Sequence, residues 1–450
     1  MYPIPLTLQD LVLFGLSFLV CAIAFKIFQS RSAPAIDTTS EKGLDELAKP
    51  DIEGVKSNRA LGEWSPEDFT YPAVTPSTEK LSDMLTRIYR PFKAGTYHVT
   101  MGMRNMGWDN WIEVDNQLLK YHRIRSERIA SRGEKLIQVV PDRPIVRGGA
   151  EAAYELMHEL AEFLSRRYPS IYTVTRDASK GGWYRLGKIK TITINPVDVT
   201  YDLEKDEPIR VAASLIQDDF AIMIEGKDGQ YYLQAGAIII PGFWRLRDKI
   251  GMPLDELHMS SDVPYYQEKL RPSLNRFFSN IKLGGPVVRD NWFLQVLGDD
   301  TDPTDPEELA WNQSVFGSED EFQHGPSSYM RERGDPAASQ TALDALQRKA
   351  IDEKPPPPIE FAPHRIQLRS EHQSLRRLPR TGAVIFTIRP YVTPIKTLTQ
   401  EPGVPGRLAS AIRGVDASAP DMNNWKLPVP GMREALLDYL DSCHEAQMPS

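Results

Sequence analysis

From Asp299 to about Ala362 the chain turns acidic and proline-rich, ending in four consecutive prolines at 355–358. Proline fixes φ and has no amide hydrogen to give a helix or a sheet ladder, so no packed element carries such a run through its interior. Strand signals nonetheless resume behind it, at 366–373 and in the β-branched run TGAVIFTIRPYV at 381–392. A chain interrupted in this way builds one sheet only by pairing strands from both sides of a long, largely disordered insertion. The expectation is an α+β fold with a mainly antiparallel sheet assembled from non-adjacent parts of the chain and packed by helices.

The elements ahead of the insertion fit that picture. A helix is predicted over 150–168, where Ala153, Leu156, Met157, Leu160, Ala161 and Leu164 form one stripe at helical spacing and the opposite face is acidic. Strands are predicted over 97–103, 183–194, 220–225 and 231–240, the last two joined by Gly226-Lys227-Asp228-Gly229 as a hairpin would be. Residues 264–281 read as a second helix that Pro272 kinks or divides, 286–297 as a strand, and 431–445 as a closing helix.

The N-terminus has a different character. Residues 11–25, LVLFGLSFLVCAIAF, carry no charge, and the apolar stretch extends over 6–28. That is about 20 residues, enough to span ~30 Å of hydrocarbon as a helix. A secretory leader would begin with positive charge, whereas Asp10 is the only charged side chain before the run, so a retained anchor is expected. Lys26 and Arg31 follow the span and place the rest of the chain in the cytosol, on the endoplasmic reticulum or another endomembrane. The organisation is then an anchor at 1–28, a polar stalk at 29–64, a folded core at 65–298, the insertion at 299–363, and 364–450 completing the core.

Composition removes several function classes. With 61 acidic and 53 basic residues the formal charge is −8, which excludes a nucleic-acid binder held by phosphate neutralisation. Two cysteines, Cys21 and Cys443, make no disulfide framework, four-cysteine zinc site or iron–sulfur cluster within one chain. No G-x-G-x-x-G follows a strand, and neither a phosphate-binding G-x-x-x-x-G-K-[ST] nor a G-x-S-x-G is present.

Four groups of residues remain as candidates for chemistry. His158-Glu159 with Glu162 lacks the second histidine of a metalloprotease helix, and His158 lies among acids expected to be solvated. Asp300-Thr301-Asp302 matches the short acidic pattern by which glycosyltransferases hold a metal and a sugar nucleotide. His258 follows an amphipathic stretch at 244–257 and precedes an aromatic-rich helix. It is either a structural histidine or the single protein ligand of a haem iron, to which the porphyrin gives the other four nitrogens. Arg365, Arg369, Arg376, Arg377, Arg380 and Arg389 cluster beside a buried strand. They either hold the propionates of a haem or an acidic partner, or form a charged strand edge that guards against aggregation.

Several segments, taken in order, carry a resemblance. They are Gly102-Met103-Arg104 with Trp111-Ile112-Glu113-Val114-Asp115; Gln217-Asp218-Asp219-Phe220-Ala221-Ile222-Met223; and Pro241-Gly242-Phe243-Trp244-Arg245-Leu246 with Lys249-Ile250-Gly251. Leu257-His258 with Val263-Pro264, Arg289-Asp290-Asn291-Trp292, and the run from Leu375 through Arg376-Arg377-Leu378-Pro379-Arg380-Thr381-Gly382 to Ala383 complete the series. Together they resemble the haem-dependent oxidative N-demethylase alpha-subunit-like proteins, also called the HRQ family, in their longer, fungal-type form. The likeness runs from about residue 65 to 445, leaving out the acidic insertion. Two positions depart from the family pattern. Met259 to Asp262 separate His258 from Val263-Pro264, and His372 stands before Gln373 where arginine is expected.

The resemblance implies a PAS-like fold that binds haem b and uses its iron to activate dioxygen, oxidising an N-methyl group of a small amine that leaves as formaldehyde. It implies His258 as the iron ligand, with Arg376 and Arg377 toward the haem carboxylates. Asp218, Asp219 and Trp244, from their places in the matched motifs, are candidates to face a cationic amine. A thiolate ligand is not expected, because Cys21 lies in the apolar span and Cys443 lacks a glycine-rich turn. Electrons would come from a separate reductase. Two other readings stay open: a non-catalytic haem sensor of the same fold, and a lumenal glycosyltransferase using Asp300 and Asp302, which glycosylation of the sequon Asn312-Gln313-Ser314 would favour.

Overall fold

A computed structural model of the chain describes residues 59–242, 244–259, 265–297, 361–418 and 432–448, together with Glu319 and Lys426. The apolar run at 11–25, the stalk up to 58, Asp300, Asp302 and the sequon at Asn312 lie outside these residues. Among the described residues no helix is long and apolar enough to cross a membrane.

The strands are β1 (Arg104–Asn105), β2 (Ile137–Val139), β3 (Tyr172–Arg176), β4 (Ile189–Ile194), β5 (Val199–Asp202), β6 (Asp219–Glu225), β7 (Tyr231–Ala237), β8 (Val287–Val296), β9 (Ile366–Arg377) and β10 (Val384–Pro394). The helices are α1 (Leu118–Arg132), α2 (Ala150–Arg167), α3 (Pro208–Leu215), α4 (Leu246–Lys249), α5 (Leu254–Met259), α6 (Arg271–Asn280), α7 (Ile395–Leu398), α8 (Val404–Ser418) and α9 (Met432–Glu445). The architecture is α+β. Seven strands form one antiparallel sheet in the order β1-β8-β9-β10-β6-β7-β2, and β3-β4-β5 form a small second sheet. As the interruption requires, β9 and β10 insert between β8 and β6, which precede the insertion. β10 is apolar on both faces through Val384, Ile385 and Ile388, so a central position suits it.

Directly opposed residues of an antiparallel pair share a face, and the register therefore fixes what each side of the sheet displays. On one face Phe220, Ile222, Ala237 and Ile385 pack with Leu156 and Leu160 of α2. Further along the same face Trp292, Leu294 and Leu368 pack with α7, α8 and α9. On the other face Ala221, Met223, Leu375, Val384 and Ile388 pack with Leu254 of α5 and with Leu274 and Phe278 of α6.

Several expectations are corrected. The strand over 97–103 does not form; only Arg104 and Asn105 pair, with Val288 and Val287. At 183–194 a 3₁₀ turn, Trp183–Arg185, precedes β4, because Tyr184 and Arg185 have φ of 58° and 59°, which a strand cannot accommodate. The second helix is divided: a π-helical turn, Tyr266–Leu270, leads into α6, which takes Pro272 in its first turn, where the missing amide costs nothing. The acids of α2 are not solvated, since Glu155, Glu159 and Glu162 are 5%, 5% and 2% exposed. Glu155 accepts the amides of Arg380 and Thr381, Glu159 accepts Trp183 Nε1 at 2.9 Å and pairs with Arg376, and Glu162 pairs with Arg166 and Arg176 at 2.6 and 2.7 Å. Nor do the arginines of β9 and β10 line a solvated edge, because both strands lie inside the sheet and Arg369, Arg376, Arg377 and Arg389 are buried.

Candidate functional site

His258 occupies the last turn of α5, a helix that packs Leu254 into the sheet and leaves its C-terminal end half-buried. Its Nδ1 lies 2.8 Å from the Leu254 carbonyl oxygen. A carbonyl only accepts, so Nδ1 carries the proton and, in the neutral ring, Nε2 keeps its lone pair. Among the described residues Nε2 has no hydrogen-bond partner. The ring stacks on Tyr266, with centroids 4.7 Å apart and planes within 6°. Tyr266 is fixed in turn by donating to Asp255 Oδ1 at 2.7 Å, and Asp255 also takes Arg271 at 2.9 Å and Asn275 at 3.0 Å. The π-helical turn thus presents Tyr266 flat against the imidazole, an irregularity of the kind that marks functional sites. Burial pulls the His258 pKa down to about 4, a shift that the Leu254 carbonyl opposes and the Arg289 charge reinforces, so the ring is neutral at physiological pH.

Around this imidazole the apolar surface is only partly covered. Met101, Met103, Trp244, Leu257, Met259, Val287 and Phe386 are half-buried members of one group, packed on the sheet face that carries Ala221 and Ile388. Across the same face runs a polar row from β8 and β9. Glu371 accepts Arg369 at 3.0 Å, Gln373 at 2.9 Å and Asn291 at 3.5 Å. Lys426 donates to Asn291 Oδ1 at 2.8 Å and to the Trp292 carbonyl at 2.7 Å, and burial draws its pKa down to about 7. Arg289 stands opposite Gln373 in this row, and its Nε is sealed from solvent without a partner.

The residues singled out in the sequence are not all brought to this place. Trp244 is, as part of the apolar group with Leu257 and Met259. Asp219 is a brace: its carboxylate takes Arg125 at 2.6 Å and the amides of Ile239 and Ile240 at 3.0 and 2.9 Å, holding the chain that follows β7. Asp218 belongs to the opposite face, near Arg389, Arg125, Glu113 and His372; its Oδ2 is buried without a partner and burial pushes the carboxyl up to about 7. Arg376 also points to that face, paired with Glu159 and enclosed by Trp108, Trp111 and Trp183. Arg377 shares the His258 face but gives its donors to the carbonyls of Ile281, Gly382 and Phe278 and to Tyr231 Oη. Arg289, by contrast, was visible in the sequence only as part of a motif. Strand alternation assigns it a face but does not reveal that its charge lacks a carboxylate.

Residues 102–430 of the chain match the family described as haem-dependent oxidative N-demethylase, alpha subunit-like. The match covers nearly three quarters of the sequence, and the chain belongs to that family.

Proposed function

We propose that this family member is a haem-dependent oxidoreductase of PAS-like fold, which binds haem b through His258 and oxidises a small, N-methylated amine. The observation that carries the reading is the geometry of the His258 ring: its Nδ1 is committed to the Leu254 carbonyl, and Nε2 has no partner among the described residues. Ligating histidines are oriented by such a bond from the other ring nitrogen. The surroundings fit a porphyrin, because half-buried Met101, Met103, Trp244, Met259 and Phe386 offer apolar contact and Arg289 offers a cation for a carboxylate.

The bound haem would supply dioxygen activation and electron transfer, which no side chain here can perform. The chain's own contribution is positional. Leu254 holds the tautomer, Tyr266 holds the ring plane, and Asp255 with Arg271 and Asn275 holds Tyr266. Trp244 offers an aromatic face to a cationic amine. The same proposal includes a separate reductase, since no nucleotide motif supplies electrons, and attachment to a membrane through 11–25 with the folded part in the cytosol. The test is an absorption spectrum of the full chain expressed with haem, beside His258→Ala. A Soret band at near one haem per chain, lost or shifted in the variant, is expected, followed by reductant-dependent formaldehyde release from a methylamine panel. A colourless wild type ends the proposal.

A further inference from the structure

Arginines on the large sheet are almost all answered by the protein. Arg104 pairs with Asp290, Arg369 with Glu371, Arg376 with Glu159 and Arg389 with Asp115, while Arg377 is surrounded by carbonyls. Arg289 is the exception. It forms no ion pair or hydrogen bond among the described residues, and its Nε is buried. Both acids near it are in use, Glu371 by Arg369 and Gln373, and Asp290 by His372 at 2.7 Å and Arg104. Lys426 adds positive charge to the same neighbourhood and not a counterion.

From this we infer that Arg289 is the carboxylate-binding residue of the His258 cleft, and that the carboxylate it takes is in the first place a propionate of haem. The inference rests on the haem reading above. The strand register puts Arg289 beside Gln373 of β9, which itself opposes Ile388 of β10, and Ile388 belongs to the apolar group of Leu254 and Tyr266. Val287, two residues earlier on the same face, packs in the group of Leu257 and Met259, on either side of His258. A guanidinium matches a carboxylate with two parallel hydrogen bonds, and the half-buried Arg289, its Nε cut off from water without a partner, carries a desolvation cost that no protein group among the described residues offsets. A ligand that brings a carboxylate to this cleft removes that cost.

The carboxylate could come from haem or from a substrate, and one set of titrations separates them. Full-length apoprotein is titrated with haem and with its dimethyl ester, followed at the Soret band, for wild type, Arg289→Ala and Arg289→Lys. Wild type should bind the free acid roughly ten- to a hundredfold more tightly than the ester, the factor expected of a charge-assisted hydrogen-bonded pair. Arg289→Ala should lose the preference while keeping the spectrum of the His258-ligated form, and Arg289→Lys should recover part of it. The ester comparison needs no variant and shows whether a propionate is bound through its charge, and Arg289→Lys assigns that charge to Arg289 rather than to Lys426 if Arg289→Ala does not fold. Equal affinities in wild type overturn the propionate assignment. If N-methylglycine then shifts the Soret band where N-methylethylamine does not, and only with Arg289 present, the carboxylate is the substrate's; with neither effect the role of Arg289 falls. A Soret band in wild type with these negative results sinks only the inference, whereas no Soret band sinks the haem reading with it.

Discussion

Glu159→Leu should destabilise the fold severely and without help from the cofactor. The side chain is the acceptor for three groups: the Arg376 guanidinium, Trp183 Nε1 at 2.9 Å and the Tyr71 hydroxyl. Arg376 is 0% exposed, and two of its nitrogens already lack partners. It is further held by the rings of Trp111 and Trp108, whose centroids lie 4.2 and 4.5 Å from its central carbon. Removing one member of such a buried pair costs about 3–5 kcal/mol, because the survivor's charge is stranded, and cation–π contacts of about 0.5–2 kcal/mol cannot replace the carboxylate. Glu159→Leu with Arg376→Met removes both charges and should be less damaging than Glu159→Leu alone. Urea unfolding followed by tryptophan fluorescence reads this directly, since Trp108, Trp111 and Trp183 surround the pair. A cost below about 1 kcal/mol for Glu159→Leu, or strict additivity in the double variant, would refute the reasoning. Haem titration of Arg376→Met adds a second check. The folded variant should bind haem as wild type does, and wild-type stability with a tenfold loss of haem affinity would return Arg376 to the role the sequence suggested.

Two pH dependences follow from burial. The His258 pKa of about 4 means that protons compete with a ligand at Nε2 only near and below that pH, so haem affinity should change less than about twofold between pH 8 and 5.5; a surface-like histidine would lose about tenfold, and such a loss in the titration would contradict a buried, neutral ligand. Asp218, raised from 3.8 to about 7, prefers to be protonated in the folded chain. Its stabilising contribution is therefore complete below about pH 4 and is lost as pH rises toward 7, so Asp218→Asn should gain on wild type by ~2–3 kcal/mol more at pH 8 than at pH 5. Urea unfolding at the two pH values that gives the same difference would show the carboxyl to be ionised throughout.

The sequence carried the parts of the fold that repeat at short range. The stripe of α2, the turn that joins β6 to β7 and the β-branched run of β10 are signals within a dozen residues, and each formed within a few residues of its expected place. What it could not carry was the partnering of charges. α1 was not foreseen because its inward stripe continues through Arg125 and Arg128 as though they were apolar, a substitution made possible by Asp219, 94 residues away, and by the Ile239 carbonyl. The acids of α2 appeared solvated for the same reason, since the partner of Glu159 lies 217 residues on. Among the candidate residues, His258 drew attention because it stands alone among apolar and aromatic residues. Arg376 and Arg377 were conspicuous through their motif, but their partners, Glu159 on one side and a ring of carbonyls on the other, are fixed by tertiary structure.

The two faces of the sheet divide the work accordingly. Toward α2, charge is matched inside the protein, as in Arg376 with Glu159, Arg389 with Asp115, and Glu162 with Arg166 and Arg176. Such pairs add little net stability over apolar packing but lock β9 and β10 to α2 and to the residues before α1 in a single arrangement. Toward α5, the backbone is held just as firmly, by Arg377 at the end of α6 and by Asp255 beneath Tyr266. There, however, the Nε2 of His258 and the guanidinium of Arg289 are among the polar groups without a partner among the described residues. A ligand that meets both finds them already oriented, so little of its binding energy goes into ordering side chains. The arginine-rich strands thus form a frame in which Arg289, the one sheet arginine with neither an ion pair nor a hydrogen bond among the described residues, lies on the face that carries the imidazole.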